Sequence, residues 1–451
     1  MVMRQNSICM MLGHALLRHD RGGIDPLRSG TGIALRRIAF AVLAFAAFGA
    51  LAADSLTMAD FNHKIKLQVD GYTGSETLVN FPVLVRISES GIPGFLYADM
   101  SAWNNAHTQT YGHNLAFFTE DGTRLACEKD TWVHNGESLV WVKLPTMTRG
   151  TKFYMCYNVA DGVYVTNDNP WGNYVGVWHL NETGGAGKTI NDASPNGMNG
   201  LTYAGSTVAA GAVGAGRVIA NNNDHAYGIV VDATNGVKKT LAESLGTDFH
   251  ASFWLSVASD LNKWKWSNLI GRRKGDNGTS WGFAFHYDDK ASSAQNYMRI
   301  FSGSPTIYST TKPFAPGLRD GTWKKVDVVW RLDESQQYAD VYTNGVFVES
   351  KTLGEPVAQE NCNIGIGCST QDNPQNAAGY KGRRFAGSMD EVRLKSGVPS
   401  RDWVKADYDT VNNASFVIRA PSGQLLVSWV NAFGAEPGLD EAGHNFDWVA
   451  D

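Results

Sequence analysis

Short apolar runs recur along this chain, each closed by turn residues, and that rhythm limits the fold more than any other feature. Residues 61–69 alternate apolar and polar side chains, the period of a half-buried strand. Residues 78–87, 114–119, 124–133, 139–144 and 152–157 give five more strand-like runs. Glu120-Asp121-Gly122 joins the third and fourth as a hairpin turn. Beyond Trp171 the runs continue, among them 175–180, 251–257, 281–287, 324–332, 338–343, 347–351 and 385–394. Asn344-Gly345 sits between two of these, the strongest short-range hairpin signal. The pattern predicts an all-β chain of two antiparallel β-sandwiches, the second a jelly roll of ~200 residues. One helical turn is expected after them, with Ser400 as N-cap and Trp403, Ala406 and Tyr408 following.

Composition narrows the function classes. Aromatic residues make up 11%, with 48 Gly and only 18% charged residues, which favours sheets with long loops over a helical bundle. The net charge is −5, and no long basic run follows the N-terminus, which argues against nucleic acid and against a polybasic membrane surface.

Arg36-Arg37, the apolar run 38–48 and Gly49-Ala50-Leu51-Ala52 read as a secretory signal cleaved near Ala52. The run is too short for a comfortable membrane span, so none is expected in the mature chain. No Met lies between Met11 and Met58, so translation is expected to begin near Leu35. Residues 1–53 are therefore set aside as signal and over-extension. The expected location is extracellular or cell-surface, with the periplasm a further compartment. An oxidising compartment suits a Cys127–Cys156 bridge, since both lie in strand-like runs of one small domain. Cys362 and Cys368 pair only if the chain bends at Gly365 or Gly367; otherwise they are buried thiols.

Two resemblances add to this reading. FPVLVRI, LAFFTEDGTRLACEKDTW, ESLVWVKLP and FYMCYN, within residues 54–170, resemble the DUF2341 family of secreted bacterial proteins. That resemblance implies a β-sandwich module that precedes lectin-like domains, and it brings no activity. VWHLNE, DASPNGMNG, FHASFWLSV, the hairpin after Trp323 and FAGSMDEVRL, within residues 171–420, resemble the laminin-G-like, concanavalin A-type lectin domains. Residues 421–451 read as a tail with one further strand at 425–430.

Glycoside hydrolases of the jelly-roll class need two carboxylates on one face of a strand. Asp390 and Glu391 are adjacent, and strict alternation sends them to opposite faces, so no enzyme is expected. Their expected role is structural, paired with Arg393 or Arg401. The oxygen-rich loop Asn191-Asp192-Ala193-Ser194-Pro195-Asn196 suits a structural Ca2+. The resemblance places that loop near Asp390, making Asp192 and Asp390 the candidate ligands. A sugar site needs an aromatic face ringed by polar groups. Trp264, Trp266, Trp281 and Tyr287, with Arg272 and Arg273, fit that need; core packing is the alternative for Trp281 and Tyr287. His179 reads as a satisfied core histidine. The expected function is non-catalytic carbohydrate binding outside the cell. The alternatives are a surface module that binds protein and a glycoside hydrolase with an unrecognised site.

Overall fold

A computed structural model describes residues 56–100, 114–159, 165, 168–202, 206–219, 228–231, 245–257, 267–274, 280–289, 296–302, 308–309, 320–354, 363–368 and 385–421. The signal region, Trp264, Trp266, Cys362 and the expected strand at 425–430 lie outside them. Thr57–Asp451 is one compact unit.

The first sandwich holds β1 (Phe61–Val69), β2 (Leu78–Ile87), β3 (Leu115–Thr119), β4 (Arg124–Leu125), β5 (Cys127–Thr131), β6 (Ser138–Met147) and β7 (Lys152–Val159). The second begins with β8 (Tyr174–Trp178), β9 (Thr189–Ile190), β10 (Gly200–Thr202), β11 (Ser206–Ala210), β12 (Ala215–Ile219), β13 (Ile229–Val231) and β14 (Phe249–Ser256). It continues with β15 (Ser267–Lys274), β16 (Ser280–Asp289), β17 (Asn296–Ser302), β18 (Tyr308–Ser309), β19 (Lys324–Asp333), β20 (Gln336–Thr343), β21 (Val346–Gly354), β22 (Ile364–Ile366) and β23 (Gly387–Ser396). Helix α1 (Arg401–Asn412) and β24 (Val417–Arg419) follow. All pairings are antiparallel, so the all-β expectation holds.

Alternation builds each core. Phe153, Met155 and Tyr157 of β7 face the first core, opposite Phe81, Val83 and Val85 of β2. Ile229, Ile364 and Ile366 meet Phe253, Val326, Val328 and Leu394 across the second sandwich. Asn344 and Gly345 both have positive φ, 51° and 73°, and turn β20 into β21 as the sequence predicts.

The Cys127–Cys156 bridge does not form. Cys127 faces the core from β5, in the three-stranded sheet β2-β6-β5. Cys156 lies in the other sheet, and the same alternation that buries Met155 and Tyr157 turns Cys156 to that sheet's opposite face. Both are buried thiols.

The chain does not leave the first sandwich at residue 170. Ser400 caps α1, accepting from the Trp403 N–H at 3.1 Å. Trp403 and Ala406 then enter the first core, where Trp403 meets Phe81 edge-on at 4.7 Å. Val404 packs instead on Val329 and Tyr342 of the second sandwich. β24 completes the first sandwich by pairing with β1, Leu67 opposite Arg419. Helix α1 is thus a wedge between the two sandwiches. Among the described residues no helix is long and apolar enough to cross a membrane.

Candidate functional site

Where the two sandwiches meet, charged side chains are buried. β5 and β6 of the first sandwich contribute Glu128, Asp130 and Trp141. The outer face of β14, β19 and β23 contributes His250, Lys325, Asp327, Glu391 and Arg393, and α1 contributes Asp407.

The groups form a continuous chain. His250 Nε2 lies 2.9 Å from Asp327 Oδ1, and Lys325 pairs with both Asp327 and Asp407, the latter at 2.8 Å. Arg393 Nη1 donates to Asp407 Oδ1 at 3.1 Å, and its Nε to Glu391 Oε2 at 3.0 Å. Glu391 Oε1 lies 2.5 Å from His179 Nδ1. On the other side of the ring His179 Nε2 lies 3.3 Å from Glu128 Oε2, which also accepts from Trp171 Nε1. The Arg393 guanidinium lies over both the Trp141 and Trp171 rings, 4.3 and 4.6 Å from their centroids.

A bulge sets this geometry. Arg393 is opposite Ser252 and Asp390 opposite Trp254, so Glu391 and Val392 together face the single Phe253. Glu391 takes φ 51°, a left-handed conformation that costs a non-glycine residue about 1–3 kcal/mol. The extra residue lets Met389, Val392 and Leu394 all reach the second core. Both Asp390 and Glu391 are thereby left on the junction side, where strict alternation predicted opposite faces.

Environment then separates the acids. Burial alone would raise Glu391, but His179 and Arg393 outweigh it and hold the carboxyl at about 2. Asp407 is likewise held at about 2 by Lys325 and Arg393 against burial. Burial pushes Asp130 up to about 7, with His179 opposing and Glu391 adding to the rise. Burial, then the Glu391 charge, lifts Asp390 well above the usual range. His179 is raised well above its ordinary value because Glu391 and Glu128 overcome burial. Asp130, His179 and Glu391 each offer one ligand atom, all within 4.8 Å of one another, and His179 Nδ1 lies 3.4 Å from Asp130 Oδ2 and 2.5 Å from Glu391 Oε1, a set that can hold a metal ion.

The expected ion ligands Asp192 and Asp390 are engaged by backbone N–H groups. Asp192 accepts from the backbone N–H groups of Val177, Ser194 and Met198, each at 2.8 Å, and from the Ser194 hydroxyl at 2.9 Å. Asp390 accepts from the N–H of Val213 and of Glu391, both at 2.8 Å. The Asp130, His179 and Glu391 set includes neither. Glu391 does pair with Arg393, as the sequence predicts. Arg272 and Arg273 lie on β15, Trp281 and Tyr287 on β16, with Arg273 opposite Trp281 in register. His179 is buried and bonded at both ring nitrogens, as the sequence predicts, but sequence reasoning did not bring Glu128, Asp130 and Glu391 around it. The available signal was charge of both signs inside strand runs, Lys325 and Asp327 around Val326 above all.

Among solved structures, the binding domain of Paraclostridial Mosquitocidal Protein 1 is similar, at 17% identity and TM-score 0.37 over 53% of each chain. The binding domain of botulinum neurotoxin DC, solved with rat synaptotagmin II, is 9% identical at TM-score 0.38, over 53% of this chain and 52% of that one. Domain 4 of the Geobacillus stearothermophilus arabinanase AbnA, solved with arabinotriose, is 17% identical at TM-score 0.31, over 45% of this chain and 80% of that one. The chain thus spans about half the length of the toxin domains. No curated protein matches. The family model of the concanavalin A-like lectin/glucanase superfamily matches residues 231–405, from the end of β13 into α1.

Proposed function

We propose that this protein is a secreted, non-catalytic binder of carbohydrate outside the cell. The observation that carries the reading is the unequal use of the second sandwich's two sheets. The sheet with β14, β19 and β23 turns its outer face to the first sandwich and α1. The ligand face is then that of the other sheet, β18-β17-β16-β15-β22-β13-β10-β9. Its β15 and β16 carry Arg273 opposite Trp281, residue types that bond sugar hydroxyls and stack on a sugar ring, whereas Arg272 is opposite core Ile364 and Tyr287 shares the face of Phe285, which is opposite core Ile270. The superfamily match over residues 231–405 supports the same reading. So does the first sandwich's resemblance to a module that precedes lectin-like domains. Non-catalytic binding fits the engagement of Glu391 by Arg393 and His179, which leaves it no free acid role.

A glycan array of the purified protein tests this, run with Ca2+ and again with EDTA. Glycan hits that disappear in Trp281→Ala or Arg273→Ala, at an unchanged melting temperature, are the expected result. Calcium-dependent hits would bring Asp192 and Asp390 back as ion ligands. A folded sample with no hits would overturn the carbohydrate reading and favour a protein partner.

A further inference from the structure

We propose that Asp130, His179 and Glu391 form a binding site for one divalent transition-metal ion, of the Zn2+ type, at the junction of the two sandwiches. The ligand atoms are Asp130 Oδ2, His179 Nδ1 and Glu391 Oε1. An ion bound at ~2.0–2.2 Å holds tetrahedral ligands roughly 3.3–3.6 Å apart, near the 3.4 Å between His179 Nδ1 and Asp130 Oδ2, while Glu391 Oε1, 2.5 Å from Nδ1, draws back by about 1 Å. One imidazole nitrogen with two carboxylates suits Zn2+ better than Ca2+, which prefers oxygen alone.

An independent observation points to the ion. Asp130 Oδ2 is buried and has no hydrogen-bond donor, although it lies only 3.4 Å from His179 Nδ1. The Asp130 side chain is 1% exposed, so water does not relieve it. The His179 Nδ1 proton is engaged by Glu391 at 2.5 Å, so Asp130 Oδ2 has the imidazole nearby but no donor of its own, and a buried carboxylate oxygen without a donor is costly.

The atoms around the trio are already arranged as outer partners. Asp130 Oδ1 accepts from the Thr131 hydroxyl at 2.8 Å. Glu391 Oε2 accepts from Arg393. Once Nδ1 holds the ion, Nε2–H donates to Glu128 Oε2, the carboxylate–imidazole–metal relay that orients ligating histidines. Each ligand therefore has its second atom fixed, and the His179–Glu391 hydrogen bond is the contact the ion replaces. On binding, the ion takes the place of the proton between His179 and Glu391, and that proton passes to solvent.

The full purified chain, stripped with EDTA and dialysed, is titrated with Zn2+ in two buffers of different ionisation enthalpy. The expected result is one equivalent bound per chain, proton release visible as a buffer-dependent heat, and a raised melting temperature. Asp130→Asn keeps the fold, because it only neutralises the donorless oxygen, and it weakens that equivalent at least tenfold. His179→Gln does the same if it folds. Absence of a stoichiometric site in the wild-type chain would overturn the proposal, as would equal Zn2+ binding by Asp130→Asn. In either case the trio is an ion-pair hub and nothing more.

Discussion

The interior of the second sandwich and the junction beside it are separated by one sheet, yet they are built from opposite materials. Inside, Phe249 stacks on Trp330 at 4.5 Å, and Val326, Val328, Ile364, Ile366 and Leu394 pack as an apolar layer. Outside, on the same strands, Lys325, Asp327, Glu391 and Arg393 are just as thoroughly buried. Apolar packing is non-directional, and many side-chain sets satisfy it about equally well. A buried charge network has few solutions, because each charge removed from water needs a partner in the right place. The difference teaches that the interior supplies the bulk of the stability, whereas the junction fixes how the two sandwiches join.

The sharpest way to break that comparison is to remove one charge from the junction. Arg393→Ala takes one cationic partner from each of Glu391 and Asp407, and unfolding in denaturant should show a loss of about 3–5 kcal/mol. A loss no larger than that of a modest core substitution would mean that charge does not hold the junction. A double-mutant cycle on Lys325→Met and Asp407→Asn should return a coupling of roughly 1–3 kcal/mol. The core counterpart, Ile366→Val, should cost about 1 kcal/mol.

A smaller effect carries a pH signature. Lys395 is drawn down to about 8 by burial, against the pull of Asp407, and its Nζ lies 3.4 Å from the centroid of the Trp403 ring. Between about 8 and its unfolded value of 10.5 the unfolded chain holds more protons, so stability rises with pH across that window. Lys395→Met should therefore stabilise by about 1 kcal/mol near pH 7 and lose its advantage above pH 10. An advantage that persists at pH 11 would mean that the gain is packing and not charge.

The last test concerns thiols and involves no change in stability. Burial pushes Cys127 up to about 11 and Cys156 up to about 12. Neither should react with a thiol reagent at pH 8 in the native state, and both should react in guanidinium without a reductant. Peptide mapping of the label checks this; protection that persists until reduction would restore the bridge.

The interior was legible in the sequence because period-two alternation reports which side chains share a face. The strands at 61–69 and 78–87 and the Asn344-Gly345 turn were read directly. Alternation also separates Lys325 and Asp327 from Val326 and Val328 of the same strand. It cannot say whether the outward face meets water or another domain, so alternation alone does not mark the junction. The bulge at Glu391 was invisible because it depends on the partner strand β14, where Phe253 alone faces two residues. His179 and Glu128 approach only after both sandwiches and α1 are assembled, and no local pattern records that.

The pairing of β24 with β1 has a consequence for synthesis. A ribosome delivers β1 early and the strand that borders it late, after all of β8 to β23. Until then, one edge of the first sheet stays open, as do the places in its core that Trp403, Ala406 and Phe416 will fill. The second sandwich therefore matures inside a host that is still unfinished. In topological terms it is an insert, carried between β7 of the first sandwich and the α1–β24 segment that closes it. Release of residues 401–419 becomes the step that locks both together, and nascent chains stalled before it should be the ones that chaperones hold.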